Sequence, residues 1–158
     1  MKFLNIGSLN LDFVYTVDHF VCPKETQASK GLTITCGGKG LNQSIALKKA
    51  GAQVCHAGAV GPDGESLVRT LEGAGVDASY VQRVDVPTGN AFIQVDAQGQ
   101  NGILLYEGAN GCITRQMIED WLQDFEEGDW LVLQNETSCL KECLELGHQK
   151  GKIGRAHV

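Results

Sequence analysis

The chain of 158 residues has little of what marks membrane, secreted or nucleic-acid-binding proteins. No stretch approaches the ~18 apolar residues that a membrane span requires, and the first residues lack the apolar run of a signal peptide. The chain has 13 Lys and Arg and 19 Asp and Glu, so its net charge is −6. This charge gives no long-range attraction to phosphate backbones or anionic lipids. We therefore expect a cytoplasmic protein with neither nucleic acid nor membrane as a partner.

Proline is scarce, with three residues, whereas the 20 glycines are well above the usual share of ~7%. Hydrophobic residues at 42% and charged residues at 20% are close to the globular average, so the composition favours one folded domain with many turns. Six cysteines include no CxxC pair. Reduced thiols are therefore favoured over a structural zinc site, and no metal ligand is predicted in this chain.

Apolar runs alternate with amphipathic segments along most of the chain. The runs predict buried strands at 3–8, 54–60 and 130–134. The amphipathic segments predict helices at 41–50, 64–74, 114–122 and 138–149. Such alternation is typical of a parallel sheet covered by helices. We therefore predict an α/β fold.

Other segments fit a second, smaller sheet. Residues 13–17 and 32–35 are rich in β-branched and aromatic residues, and 91–96 and 103–106 predict a hairpin around a polar turn. The last residues, 153–158, continue no period. We expect them to be a non-native tail on a partial sequence, so that residues 1–152 form the domain.

A glycine-rich segment from Gly37 to Gly40 precedes the helix predicted at 41–50. Glycines there allow close approach of the backbone to a ligand and expose unpaired N–H groups at a helix N-terminus. The segment is not a Walker A loop, because Gly40 follows Lys39, and it is not GxGxxG, because position 43 is Gln. An oxygen-rich ligand fits better than a nucleotide phosphate, and a purely structural turn is the alternative.

Asn10 and Asp12 stand two residues apart at the expected end of the first strand. In an extended chain both side chains point to the same side. Ligands of open α/β sheets bind at the carboxyl ends of the strands. Because a carboxylate accepts from hydroxyls while Asn and Lys donate, the pattern suits a neutral polyol. Capping of a loop by Asp12 is the alternative.

Four motifs, in order, resemble the N-terminal portion of the ribokinase-like (PfkB-type) carbohydrate kinases: Gly7–Asp12, Gly37–Gln43, Gly58–Gly64 and Gly108–Asn110. The resemblance covers residues 1 to about 149. It implies a parallel-sheet sandwich with helices on both faces and a small β lid, from strands at about 13–35 and 89–106, with the C-terminal half missing. In the complete enzyme it implies transfer of the γ-phosphoryl group of ATP to the terminal hydroxyl of a sugar. D-ribose, giving ribose 5-phosphate, is favoured, and fructokinase or nucleoside kinase activity stays open.

The resemblance also implies which residues bind the sugar: Asn10, Asp12, Gly38, Lys39, Asn42, Asn110 and Glu136. For Glu136, a solvated carboxylate at a helix N-terminus near Ser138 is the alternative. The family's catalytic Asp, ATP pocket, Mg²⁺ and K⁺ sites have no matching motif in this chain, so we expect it to be inactive alone. The lid is implied to pair with that of a second subunit in a homodimer. The alternative function is an inactive sugar-binding half-domain.

Overall fold

The structure is a computed structural model that describes residues 1–151 and the backbone of residues 153–157. Four α-helices are present in the described chain: α1 (Lys39–Lys49), α2 (Glu65–Gly73), α3 (Arg115–Trp121) and α4 (Leu140–Gln149). The strands are β1 (Phe3–Ile6), β2 (Asn10–Thr16), β3 (Gly31–Gly37), β4 (Val54–Val60), β5 (Asp77–Arg83), β6 (Gly89–Val95), β7 (Asn101–Tyr106), β8 (Trp130–Gln134) and β9 (Ile153–His157). Short 3₁₀ helices follow β7 and α3.

The main sheet has five parallel strands in the order β5-β4-β1-β8-β9. Every residue of β4 is buried, as its unbroken apolar run predicts. Successive residues of a strand point to opposite faces of the sheet, and helices cover both faces. Leu4 and Ile6 of β1 pack in one core with residues of α3 and α4, whereas Val54 and Val60 of β4 pack in a second core with residues of α1 and α2. The predicted α/β sandwich is confirmed.

A second sheet has four strands in the order β3-β2-β6-β7. β2 pairs antiparallel with β3 and parallel with β6, and β6 and β7 form the predicted hairpin. Asn10 and Asp12 lie two positions apart on β2, so they share one face of this sheet. On the opposite face, register places Phe13 beside Ile34 and Phe92.

Several predicted boundaries are wrong. Asn10 and Asp12 do not end the first strand but begin β2, because β1 stops at Ile6 and only three residues separate the two strands. α1 begins two residues before Leu41, and α4 begins at Leu140 instead of Ser138. No element was expected after residue 152, yet Ile153–His157 forms β9 beside β8. The non-native origin of 153–158 stays a prediction.

Within the described residues, no helix is both long and apolar enough to cross a membrane. All six cysteines are free thiols. Burial raises the pKa of Cys55 to about 11 and that of Cys143 to about 12, so both stay protonated at neutral pH and act as small apolar side chains.

Candidate sugar-binding site

The first turn of α1 lies directly against the end of β1, and glycines make this approach possible. A Cβ on Gly40 would lie 2.5 Å from the carbonyl carbon of Gly7, and one on Gly7 would lie 2.7 Å from the Cα of Gly40. Gly38 has φ +100°, in the region that favours glycine, and a Cβ there would lie 2.6 Å from the Ser8 carbonyl oxygen. The glycines therefore serve contact between two backbone segments.

The N–H groups of this turn are bonded within the protein. The Leu41 N–H donates to the Ser8 carbonyl at 3.1 Å, and the Gly40 N–H donates to Ser8 Oγ at 3.3 Å. The Lys39 N–H donates to the carboxylate of Glu136. The expectation of unpaired N–H groups awaiting a ligand is therefore wrong: Ser8 and Glu136 take the places that an anion would need.

Glu136 follows β8 and is the electrostatic centre of the site. Its Oε2 accepts from Ser8 Oγ at 2.7 Å, and its Oε1 lies 3.0 Å from Lys39 Nζ. Burial alone raises the pKa of Glu136, but the hydrogen bond from Ser8 and the charge of Lys39 outweigh it and hold the pKa below its ordinary value. Glu136 is therefore a carboxylate at neutral pH, at the N-terminus of α1 and not at that of the helix near Ser138.

Asn10 and Asn110 form a buried amide pair across the site. Asn110 Nδ2 donates to Asn10 Oδ1 at 2.8 Å, and Asn110 Oδ1 accepts from the Leu9 N–H at 3.0 Å. Gly89 leaves the space for this pair, because a Cβ there would collide with both amides. The amide nitrogen of Asn10 is left with its hydrogens undonated within the described residues, so it is available to a ligand oxygen.

Asp12 lies one pleat beyond Asn10 and is half-buried, with Gly37 packed against its carboxylate. No donor among the described residues bonds to its oxygens. Burial, followed by repulsion from Glu136, raises the pKa of Asp12. A desolvated carboxylate without donors is stabilised by a ligand that brings hydroxyl groups.

A pocket of about 350 Å³ opens between the two sheets. This volume is within the range of about 300–1,000 Å³ typical of small-molecule sites. Its lining includes three of the predicted residues, Asn10, Asn110 and Glu136, together with Tyr106 and Asn135. The structure therefore gathers amides and two carboxylates, those of Glu107 and Glu136, around one cavity, contributed by segments far apart in sequence.

The other predicted residues have different relations to this pocket. Lys39 does not line the pocket but forms an ion pair with Glu136, which does. Asp12 does not line it either, but it is close enough to Glu136 for the two carboxylates to repel each other. Gly38 contributes backbone contact with Ser8. Asn42 is exposed on α1, and within the described chain its side chain makes no hydrogen bond; its sugar-binding role stays a prediction.

Some residues of the site were not predicted. Ser8 joins the glycine segment to Glu136. The other residues that complete the pocket wall are Leu105, Tyr106, Glu107, Asn135 and Thr137. Asn135 and Thr137 flank Glu136, so their proximity follows from its own prediction. For Ser8 no spacing in the sequence points to Glu136, because the contact depends on the pairing of β1 with β8.

A larger groove of about 440 Å³ lies between α1 and β8 but suits a sugar less well. It is lined by Phe3, Leu47 and Trp130 among other apolar side chains, with Gln43 the one amide. A polyol in this groove would leave most hydroxyls without partners. The smaller, polar pocket therefore suits a polyol better than this groove does.

The described residues do not fit the cofactors that the resemblance implies. They contain no group of three or more His, Cys, Asp or Glu side chains able to hold a metal ion. The amides at the start of α1 are occupied by Ser8 and Glu136, so this turn does not fit a nucleotide phosphate. No step through ATP, Mg²⁺ or K⁺ is therefore derived from these residues.

Known proteins resemble this chain in sequence and in fold. The family model described as "pfkB family carbohydrate kinase" matches residues 2–154. The chain is 33% identical to a ribokinase of Haemophilus influenzae over 135 residues, covering 84% of this chain and 44% of that protein. It is 31% identical to a deoxyribokinase of Salmonella typhi over 155 residues, covering 96% of this chain and 49% of that protein. A crystal structure of ribokinase from Cryptococcus neoformans in complex with ADP superposes with a TM-score of 0.81 at 35% identity, covering 98% of this chain and 50% of that one.

The match over nearly the whole chain shows that it belongs to the pfkB family of carbohydrate kinases. The chain spans about half the length of the curated relatives it matches.

Proposed function

We propose that this chain supplies the sugar-binding part of a ribokinase, which transfers the γ-phosphoryl group of ATP to the terminal hydroxyl of D-ribose and forms ribose 5-phosphate. The observation that carries the proposal is the pair of unsatisfied groups on one face of β2. Asp12 offers a half-buried carboxylate without donors, and two residues away Asn10 offers free amide hydrogens beside the pocket. A neutral polyol satisfies both, because each hydroxyl donates and accepts.

The residues of the chain bind and orient the sugar. Asp12 and Glu136 accept from hydroxyls, Asn10 donates, and Lys39 keeps Glu136 charged. Asn110 holds the Asn10 amide in one orientation. Fixing the sugar in this way aligns its reacting hydroxyl and removes it from water, which is the main protein contribution to phosphoryl transfer.

Ribose is favoured over other sugars by the ribokinase relatives, and deoxyribose is the second candidate because a deoxyribokinase matches at 31% identity. The two sugars differ by one hydroxyl. A site that hydrogen-bonds this hydroxyl rejects the sugar that lacks it, because a buried polar group is then left unpaired. Fructose and nucleosides, and a purely sugar-binding half-domain without catalysis, are the further alternatives.

The proposed cofactors are ATP, Mg²⁺ and K⁺, with their sites outside the residues described. The ADP complex of the ribokinase from Cryptococcus neoformans supports ATP as phosphoryl donor.

The proposal also includes a cytoplasmic location and a homodimer through the small sheet. On the face of that sheet opposite Asn10 and Asp12, Ile34, Phe92 and Leu104 stand in register and are 56%, 40% and 71% exposed. Exposed apolar surface of this kind is typical of a protein interface.

Calorimetric titration of the 158-residue chain with ribose tests the proposal. Asp12→Ala leaves sugar hydroxyls desolvated and unpaired, at a cost of about 1–3 kcal/mol, so ribose affinity is expected to fall about tenfold or more. Asp85→Ala is the matched control, since Asp85 is an exposed carboxylate after β5, and it should bind ribose as the wild type does. Equal affinities of the two variants would remove Asp12 from the site.

A further inference from the structure

Four buried polar side chains form a layer between α1 and the main sheet, where apolar packing is the rule for parallel strands. They are Asn5 of β1, Ser44 of α1, His56 of β4 and Gln134 of β8, and each is 0% exposed. None of them lines the sugar pocket. Their presence in an apolar interior needs a reason, since burying polar groups costs free energy unless they are bonded to one another.

Asn5 bonds both Ser44 and Gln134. Its Nδ2 donates to the Gly40 carbonyl at 2.9 Å and to Ser44 Oγ at 2.8 Å, and its Oδ1 accepts from Gln134 Nε2 at 2.6 Å. Gln134 Nε2 also donates to Gln43 Oε1 at 2.7 Å. The orientation of the Asn5 amide follows from Gly40, because a backbone carbonyl only accepts.

The state of His56 is assigned from its neighbours. Ser44 Oγ accepts from Asn5 and lies 2.8 Å from His56 Nδ1; we assign its hydrogen to Nδ1, which places the ring proton on Nε2. Burial lowers the pKa of His56 to about 4, so the ring is neutral at pH 7, and its Nε2 has no hydrogen-bond partner among the described residues. Hydrogen bonds thus run in one direction, from Gln134 through Asn5 and Ser44 to His56, and three neighbouring strands are tied to the first turns of α1.

We propose that Asn5, Ser44, His56 and Gln134 are positioning residues that hold the first turn of α1 in place for the sugar site. The turn they hold carries Lys39, and its N–H groups bond Ser8, which in turn bonds Glu136. Gln134 stands two residues before Glu136. The end of β8 therefore contacts α1 twice: Gln134 bonds Gln43 in the core, and Glu136 pairs with Lys39 at the pocket. The proposal rests on the proposed function only in that the groups positioned are the sugar-binding ones.

Ser44→Ala tests the proposal, because alanine favours the helix while both hydrogen bonds of the hydroxyl are lost. The readout is amide hydrogen exchange in the full chain. The Gly40 and Leu41 amides are expected to exchange about tenfold faster relative to the amides of β4, which report global opening. Ser66→Ala, the same change at an exposed position of α2, should leave that ratio unchanged. An unchanged ratio in Ser44→Ala would overturn the proposal.

Two variants of His56 separate positioning from simple packing. His56→Asn keeps an acceptor near the place of Nδ1 and is expected to restore the wild-type ratio, whereas His56→Leu is expected to raise it. Equal ratios in the two variants would contradict the proposal even if Ser44→Ala failed to fold. The nitrogen resonances of His56 give a spectroscopic check: the wild type should be protonated on Nε2 alone, and Ser44→Ala should show both tautomers.

Ribose added to the same samples distinguishes this proposal from the proposed function. Ribose is expected to slow exchange of Gly40 and Leu41 in the wild type, and to do so less in Ser44→Ala. Absence of any ribose effect in the wild type counts against the proposed function. The exchange ratios measured without sugar test only the positioning role of Asn5, Ser44, His56 and Gln134.

Discussion

His56 makes the stability of the chain sensitive to mild acid. It is fully buried, and burial lowers its pKa from 6.5 to about 4, an effect that the nearby backbone of Gly7 only partly offsets. As the pH falls below 6.5, His56 becomes protonated in the unfolded chain but stays neutral in the folded chain. The free energy of unfolding therefore decreases until His56 is protonated in both states near pH 4. At 1.36 kcal/mol for each pH unit, the decrease attributable to His56 is about 3 kcal/mol.

Urea unfolding followed by tryptophan fluorescence between pH 7 and pH 4 measures this decrease. His56→Asn removes the titrating group, so the difference between its free energy of unfolding and that of the wild type should change by about 3 kcal/mol across this range. Glu136, with its lowered pKa, also loses stability in acid, and Asp12, with its raised pKa, gains it, but both contributions are common to the two proteins and cancel. His148→Asn, at an exposed position of α4, is the control. Parallel pH curves for His56→Asn and the wild type would refute the reasoning.

Three further predictions follow from the packing, the site and the small sheet. Gly7→Ala should lower the free energy of unfolding by about 1–3 kcal/mol in urea titrations, because its Cβ would collide with Gln134 and the backbone of Gly40. Gly73→Ala, whose Cβ would meet nothing within 4 Å, should instead raise it by about 0.5–1 kcal/mol, and equal effects would contradict the close contact at Gly7. The purified chain should form no ribose-dependent ADP from ATP; a rate proportional to its concentration, above that of a mock purification, would show that the described residues suffice. The chain should self-associate at micromolar concentration, and Leu104→Glu, at 71% exposure on the small sheet, should shift its sedimentation toward the monomer, whereas Leu144→Glu on α4 should not.

The α/β architecture was predictable because its signals are local. The uniform apolar run of β4 and the glycines that end α1 and α2 give strands and helices directly: Gly51 and Gly75 follow their helices with φ of +88° and +79°. The start of β2 was misplaced because the turn between β1 and β2 holds only three residues. Asn10 and Asp12 were still predicted to share a face, since their spacing is two whichever strand carries them.

The site could be predicted only as far as the resemblance and short spacings reached. Asn10, Asn110 and Glu136 were named from motifs, and the structure brings them to one pocket. The roles of Ser8 and His56 were not predictable. Ser8 meets Glu136 from 128 positions away, and His56 is one polar residue inside an apolar strand whose partners lie on other elements. Such contacts depend on strand order, which no local pattern records.

Nitrogen–proton correlation spectra of the labelled chain, recorded as ribose is added, test the central claim most directly. The account predicts that the amide resonances that move with saturable ribose dependence belong to the segments around Asn10, Gly37–Lys39, Asn110 and Glu136, and that 2-deoxyribose moves them differently. Resonances that move instead around Phe3, Leu47 and Trp130, or a folded chain whose spectrum is unchanged at millimolar ribose, would contradict the assignment of the sugar to the pocket between the two sheets.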